Sequence, residues 1–227
     1  MHIYAFGSIC RGDLREGSDI DVLALVEGYD SRFDPDTFSV YSYRRIGDLW
    51  AEGNPFAWHL FLESRLVFAS DQRDFLKALG SPEDYVNCVR DCEKFYSVFE
   101  EARDSILSRA KSRVFELSTI FLSIRNIATC FSLGTGAKPD FSRHSAHHLG
   151  TNSIRLPSNA YSVLERARIL STRGKGENIT DEEVDLVLDV LQNVKAWMEH
   201  LVIEARAYER IQKSHGHSTA NSAVGKL

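Results

Sequence analysis

The sequence predicts an α+β protein: a small mixed β-sheet with covering helices in residues 1–80, followed by an all-α helical bundle. Three observations predict it. Short β-branched apolar runs alternate with helix-like segments as far as Ala69. Strand signals then stop. Long segments with apolar residues at helical spacing fill the remainder.

Taken in order, residues 2–6 (HIYAF) form a short apolar run stopped by Gly7, a strand. Residues 8–17 (SICRGDLREG) hold a short helix or turn with Ser8 near its start. Residues 19–26 (DIDVLALV) are a central strand, and 38–43 (FSVYSY) a third. Residues 45–53 predict a helix ended by Gly53, 54–64 a second with Pro55 near its start, and 65–69 (RLVFA) a last strand. Beyond Gly80-Ser81-Pro82, the expected domain boundary, a helix over 82–113 places Tyr85, Val89, Cys92, Phe95, Phe99 and Ile106 near one face. A second covers 112–134, and 135–157 is loop-rich. A third covers 158–174, capped by Ser158 and ended by Gly174. A fourth covers 180–212, with Thr180 and Glu183 as a capping box. The bundle domain is therefore 81–212, and the polar, unpatterned 213–227 is expected to be disordered.

With 27 basic against 32 acidic residues, net −5, the chain has no general electrostatic pull toward nucleic acid or acidic membranes. A local basic cleft remains open, but the balance argues against a nucleic-acid polymerase. The N-terminal MHIYAFGSICRG lacks the apolar core of a signal peptide. No apolar run is read as approaching the ~20 residues that span a bilayer. Of the four cysteines, Cys88 and Cys92 share a helix face and no second pair completes a zinc site. Reduced cysteines and a cytoplasmic location are expected.

The chemistry concentrates in Phe6–Leu25, FGSICRGDLREGSDIDVLAL. Asp19 and Asp21, two apart on a strand, point to one face with Cα atoms roughly 6.5–7 Å apart. Paired carboxylates of this kind present hard oxygens to Mg²⁺ or Mn²⁺, with Ile20 between them pointing into the core. Gly7 lets backbone approach a phosphate, Ser8 adds a hydroxyl at a helix start, and Arg11 can steady a triphosphate or the turn. Strand-start polarity and a turn would account for the same residues without chemistry.

Gly-Ser, ten residues, then Asp-Ile-Asp resembles the signature of the polymerase-beta-like nucleotidyltransferase superfamily. Within it, the stretch is similar to the small prokaryotic members, which include aminoglycoside-type and antitoxin-type enzymes. The resemblance implies that Gly7 and Ser8 bind nucleotide phosphate and that Asp19 and Asp21 bind the metals. A substrate hydroxyl would then attack the α-phosphorus of a nucleoside triphosphate, most simply ATP, releasing pyrophosphate. The acceptor is unspecified (a small molecule, a protein or an RNA end), no membrane is involved, and a homodimer is compatible with the pattern. Family members usually carry a third carboxylate on a later strand. Here that strand offers Ser39, Tyr41 and Tyr43, and Glu63 is the best substitute, with Asp34 and Asp36 nearby. The departure motivates a second reading, a weak or inactive nucleotide-binding, antitoxin-like module.

Other candidates are weaker. Trp58 and His59 are expected to pack or hydrogen-bond within the sheet-covering helix. Arg125 and Asn126, amid apolar residues, read as a paired structural arginine or, by the resemblance, as lining a nucleotide cleft. RHSAHH (143–148) is a weak metal cluster with no acid to orient it. Arg143 and His148 also fit the loose Arg-x4-His pattern of HEPN ribonucleases, which gives a third reading, an RNA-cleaving helical domain.

Overall fold

The computed structural model describes residues 1–13, 20–108 and 112–222. They fall into two compact units, Met1–Val86 and Asn87–Leu227. The first extends beyond Gly80–Pro82 because the following residues are tied back to it. Glu83 donates its N–H to the Trp50 carbonyl at 3.0 Å and accepts from the Trp58 indole at 3.1 Å, and the Trp50 indole reaches the Gly80 carbonyl at 3.0 Å.

The first unit runs β1 (His2–Phe6), α1 (Ser8–Arg11), β2 (Asp21–Val26), β3 (Ser39–Ser42), α2 (Tyr43–Ala51), α3 (Pro55–Glu63), β4 (Ser64–Ala69) and α4 (Phe75–Ala78). The sheet order is β3-β2-β1-β4. Central β1 is antiparallel to both β2 and β4, while β2 and β3 are parallel. The sheet is therefore mixed and the protein α+β.

Alternation along the strands sets the register. Tyr4, Phe6, Leu23 and Leu25 pack into one core with Ile46, Leu49, Trp50, Ala57 and Leu60 of α2 and α3. Ala24 and Val26 face the other way, against Phe33. Burial of a large apolar side chain stabilises by about 1.5–3 kcal/mol. A one-residue slip would trade Leu23 and Leu25 for Val22 and Ala24 in the helix-covered core. This preference holds Asp21 opposite Phe6.

Two helix starts follow local chemistry. Asn54 accepts from the Phe56 N–H at 2.9 Å with Pro55 as the first helical residue, and Ser42 accepts from the Arg45 N–H at 3.1 Å. In β4, Leu66 pairs with Tyr4 and Phe68 with Ile3, so Val67 is an extra residue, a β-bulge on an edge strand. Leu66, Val67 and Phe68 are exposed.

Two expectations change at β2. The strand begins at Asp21, where pairing with β1 begins, and Ile20 is 57% exposed instead of entering the core. Ile20 precedes the first paired residue, so among the described residues no neighbouring strand lies beside it. Asp19 lies outside the described residues.

The second unit contains α5 (Cys88–Leu107), α6 (Arg113–Gly134), α7 (Ser158–Arg173), α8 (Asp181–Leu188) and α9 (Leu191–Ser222). Helix α6 is its core, with Leu117, Ile120, Phe121, Ile124, Ile127 and Ala128 buried. Contrary to the sequence reading, α6 is long and apolar enough to cross a membrane, by length and composition. Its most apolar window is 61% buried inside the protein. Serines and threonines interrupt the apolar run in sequence, yet they bury readily by bonding back to the helix, as Ser123 does to the Thr119 carbonyl at 2.9 Å.

The expected helix over 180–212 is two helices. The capping box of Thr180 and Glu183 starts α8, but α8 packs on α7 whereas α9 packs on α5 and α6, so the two segments serve different neighbours. Helix α9 is described to Ser222. Ser158 is the first residue of α7 and not its cap; Gly174 ends that helix in the left-handed region, φ 61°.

Helix α5 crosses α6 where Gly134 meets Cys88: a Cβ on Gly134 would stand 2.3 Å from the Cys88 Cβ and 2.4 Å from its Sγ. Gly134→Ala is therefore expected to destabilise the protein by about 1–3 kcal/mol, as overpacking does, read from urea unfolding. An unchanged midpoint would refute this close packing.

Candidate functional site

The site is built where β1 ends. Gly7 has φ 73° and ψ −135°, backbone that L side chains rarely adopt. Its carbonyl accepts from the N–H groups of Cys10 at 3.0 Å and Arg11 at 3.2 Å, which folds 8–11 into the short α1. Its own N–H is used, donating to the Glu63 carbonyl at 3.1 Å. The turn closes with Asp13 N–H on the Ser8 carbonyl at 2.9 Å.

Two further elements converge on Gly7. Asp21, the exposed first residue of β2, sits opposite Phe6. A Cβ on Gly7 would lie 2.8 Å from Asp21 Oδ2 and 3.8 Å from His59 Nε2. The carboxylate of one strand thus lies across the bare Cα of the next. From α3, His59 and Glu63 stand one turn apart on the same face, with His59 Nε2 3.0 Å from Glu63 Oε2. The His59 ring packs edge-on against Phe6, centroids 5.5 Å apart. The Arg11 guanidinium pairs with the same Glu63 carboxylate. All three side chains are largely buried, 22% exposed for Arg11, 13% for His59 and 14% for Glu63. Cys10 donates to the Ala5 carbonyl at 3.3 Å, and burial pushes its thiol pKa up. It is a packed thiol.

Beside Asp21 opens a cleft of about 650 Å³, lined on one side by Ile20, Asp21 and Val22 and on the other by residues 35–41. Parallel pairing of Leu23 with Ser39 runs this second wall alongside Asp21. Strand β3 carries Ser39, Val40, Tyr41 and Ser42, and no carboxylate. Among the described residues lining the cleft, Asp36 is the one acid besides Asp21. Asp34 instead makes the turn, accepting from the Asp36 N–H at 3.0 Å.

Residues 2–111 match the family model of the nucleotidyltransferase domain. This stretch is a nucleotidyltransferase domain. The match spans the first unit and continues through α5. No curated protein and no solved structure matches the chain.

Of the residues singled out from sequence, Gly7, Ser8, Arg11, Asp21 and Glu63 gather at one corner of the nucleotidyltransferase domain. His59, expected to pack or hydrogen-bond within its helix, belongs to the same corner. The signal available was its i, i+4 spacing from Glu63. The remaining candidates lie in the helical unit. Arg125 of α6 donates through Nη2 to the Phe141 carbonyl at 3.1 Å, and its own carbonyl accepts from Ser145 Oγ at 3.1 Å, so it fastens the following loop. Asn126, beside it on α6, is half-buried. Arg143 pairs with Glu165 at 3.2 Å. His148 does have an acid, Asp140, with Nδ1 2.5 Å from Oδ2. Arg143 and His148 are thus each committed to a different carboxylate. Burial alone would raise the Asp140 pKa, but the hydrogen bonds from His148 and Ser142 outweigh it and hold the carboxyl below its ordinary range. His147 is lowered, first by burial and then by neighbouring His144.

Two outcomes are expected. Gly7→Ala should force the Asp21 carboxylate aside and strain the turn by about 1–2 kcal/mol from its left-handed φ, seen as lowered thermal stability and a shifted Asp21 side-chain carbon resonance. For Asp140, a depressed pKa adds stability above the usual carboxylate range, lost as pH falls through its lowered value. His148→Ala should raise the Asp140 titration, followed by carboxyl NMR.

Proposed function

We propose that this chain transfers a nucleoside monophosphate, AMP from ATP in the simplest case, to a hydroxyl acceptor with release of pyrophosphate. The observation that carries the reading is the Asp21 carboxylate lying across Gly7 at the mouth of a turn whose helix begins at Ser8. Asp21 Oδ2 takes the space a Gly7 side chain would fill, which sets the carboxylate directly against the backbone of the turn. In the reaction the acceptor oxygen forms a bond to the α-phosphorus, the bond to the bridging oxygen breaks, pyrophosphate leaves and the hydroxyl proton is released. Ser8 would meet phosphate oxygens beside the bare backbone of Gly7, Arg11 would add positive charge, and Asp21 with Asp19 would hold the divalent ion.

The donor chemistry fits such an ion, since an exposed carboxylate at a strand start offers hard oxygen. Bound Mg²⁺ or Mn²⁺ supplies neutralisation of triphosphate charge. The chain's own residues orient the triphosphate and the acceptor in the cleft beside Asp21. The acceptor is a hydroxyl of a small molecule, a protein or an RNA end, and the setting we propose is the cytoplasm.

A second reading is favoured by one observation, the acid-free strand β3. Under it the domain binds nucleotide and transfers little or nothing. The two separate cleanly. Pyrophosphate release from a panel of triphosphates with Mg²⁺ or Mn²⁺ should appear, and Asp21→Asn should lower kcat by about 100-fold or more, near 2.7 kcal/mol of transition-state stabilisation. If Asp36 supplies the missing acid, Asp36→Asn should fall by a similar factor. Metal-dependent ATP binding with no turnover on any acceptor would favour the second reading.

A further inference from the structure

The Arg11–Glu63–His59 knot is not explained by phosphate or metal binding alone. Glu63 touches the turn in two ways and its own helix in a third. Its carbonyl takes the Gly7 N–H at 3.1 Å, its carboxylate pairs with the Arg11 guanidinium from the turn's far end, and Oε2 lies 3.0 Å from His59 Nε2. One residue at the junction of α3 and β4 therefore grips both ends of the β1–α1 turn. The carboxylate is largely buried, and a buried carboxylate is stable only where partners satisfy it. Both its neighbours are cationic or can be. Arg11 Nε is buried without a hydrogen-bond partner among the described residues, the Asp13 carboxylate standing 3.9 Å away. The guanidinium is thus held by one edge and presents a donor still to be satisfied.

We infer that Glu63 is a positioning residue for nucleotide binding: it pre-sets the phosphate-facing turn by clamping Arg11 and the Gly7 amide, and it is neither a metal ligand nor a proton acceptor. The inference rests on the nucleotidyl-transfer reading above. Physically, the clamp places the turn and the guanidinium before the nucleotide arrives, so binding orders fewer groups. The alternative sign is equally concrete, since a carboxylate on Arg11 could instead compete with phosphate for it.

The test measures binding of ATP with Mg²⁺ to the full chain by calorimetry, alongside steady-state kinetics and urea unfolding of each variant. The clamp predicts that Glu63→Ala weakens ATP binding about tenfold or more, the scale of one charge-assisted hydrogen bond, and raises KM more than it lowers kcat. Glu63→Gln, which keeps the length and an acceptor for Arg11, should recover part of that loss and keeps the test valid should the alanine variant fold poorly. Arg11→Ala should weaken binding as well, and adding Glu63→Ala to it should cost little more, because the two act as one unit. Tighter ATP binding in Glu63→Ala would overturn the inference in favour of competition. Collapse of kcat at unchanged binding in both Glu63 variants would overturn it in favour of a metal or proton role. Unchanged ATP binding with lowered stability would overturn it in favour of a purely structural ion pair. Wild-type protein that binds no ATP would instead sink the nucleotidyl-transfer reading itself, and this inference with it.

Discussion

Close approach of two strand ends is the constraint on which the rest of the nucleotidyltransferase domain depends. Asp21 can lie across Gly7 only because Gly7 has no side chain and because β1 and β2 are paired with Phe6 level with Asp21. That pairing is not set at the corner itself. It is set by Tyr4, Phe6, Leu23 and Leu25 keyed into α2 and α3, so core packing and site geometry are one problem. A large substitution at Leu23 would be felt as much by the carboxylate two residues away as by the core.

The same logic explains the position of α3. Its N-terminus is fixed by the Asn54 cap and Pro55, and its apolar side by Ala57 and Leu60. Those residues in turn aim His59 and Glu63 back toward the strand ends. The helix then passes straight into β4, whose first residue pairs with Phe6. Glu63 thus ends one regular element with the next beginning at Ser64 and no loop between them, which suits a residue that holds others in place.

Much of this was legible in the sequence where the signal is local. Gly7-Ser8 and the acidic strand start could be read from spacing, the sheet from period-two apolar runs, and the Thr180 capping box from four residues. The acid-free third strand was equally plain. What escaped depended on distance or on boundaries. Arg11 and Glu63 are separated by 52 residues and meet only because β4 adds beside β1, an edge that no local pattern specifies. Alternation carried back to Asp19 puts Ile20 in the core, whereas the strand and its pairing with β1 begin at Asp21. The partnership of His148 with Asp140 sits in a loop without periodicity, so nothing in the spacing linked them. The division between α8 and α9 is hidden because apolar spacing continues across it, while the packing partners change.

The extra residue in β4 carries a consequence for how this sheet behaves among other chains. An outer strand with Leu66, Val67 and Phe68 open to solvent would ordinarily invite a neighbour to zip alongside and seed aggregates. With Val67 inserted, the free amides and carbonyls fall out of step partway along, so a straight incoming strand could match one half of the edge or the other but not both. That border of the sheet is thereby a poor template for a straight fifth strand, even with its apolar side chains uncovered.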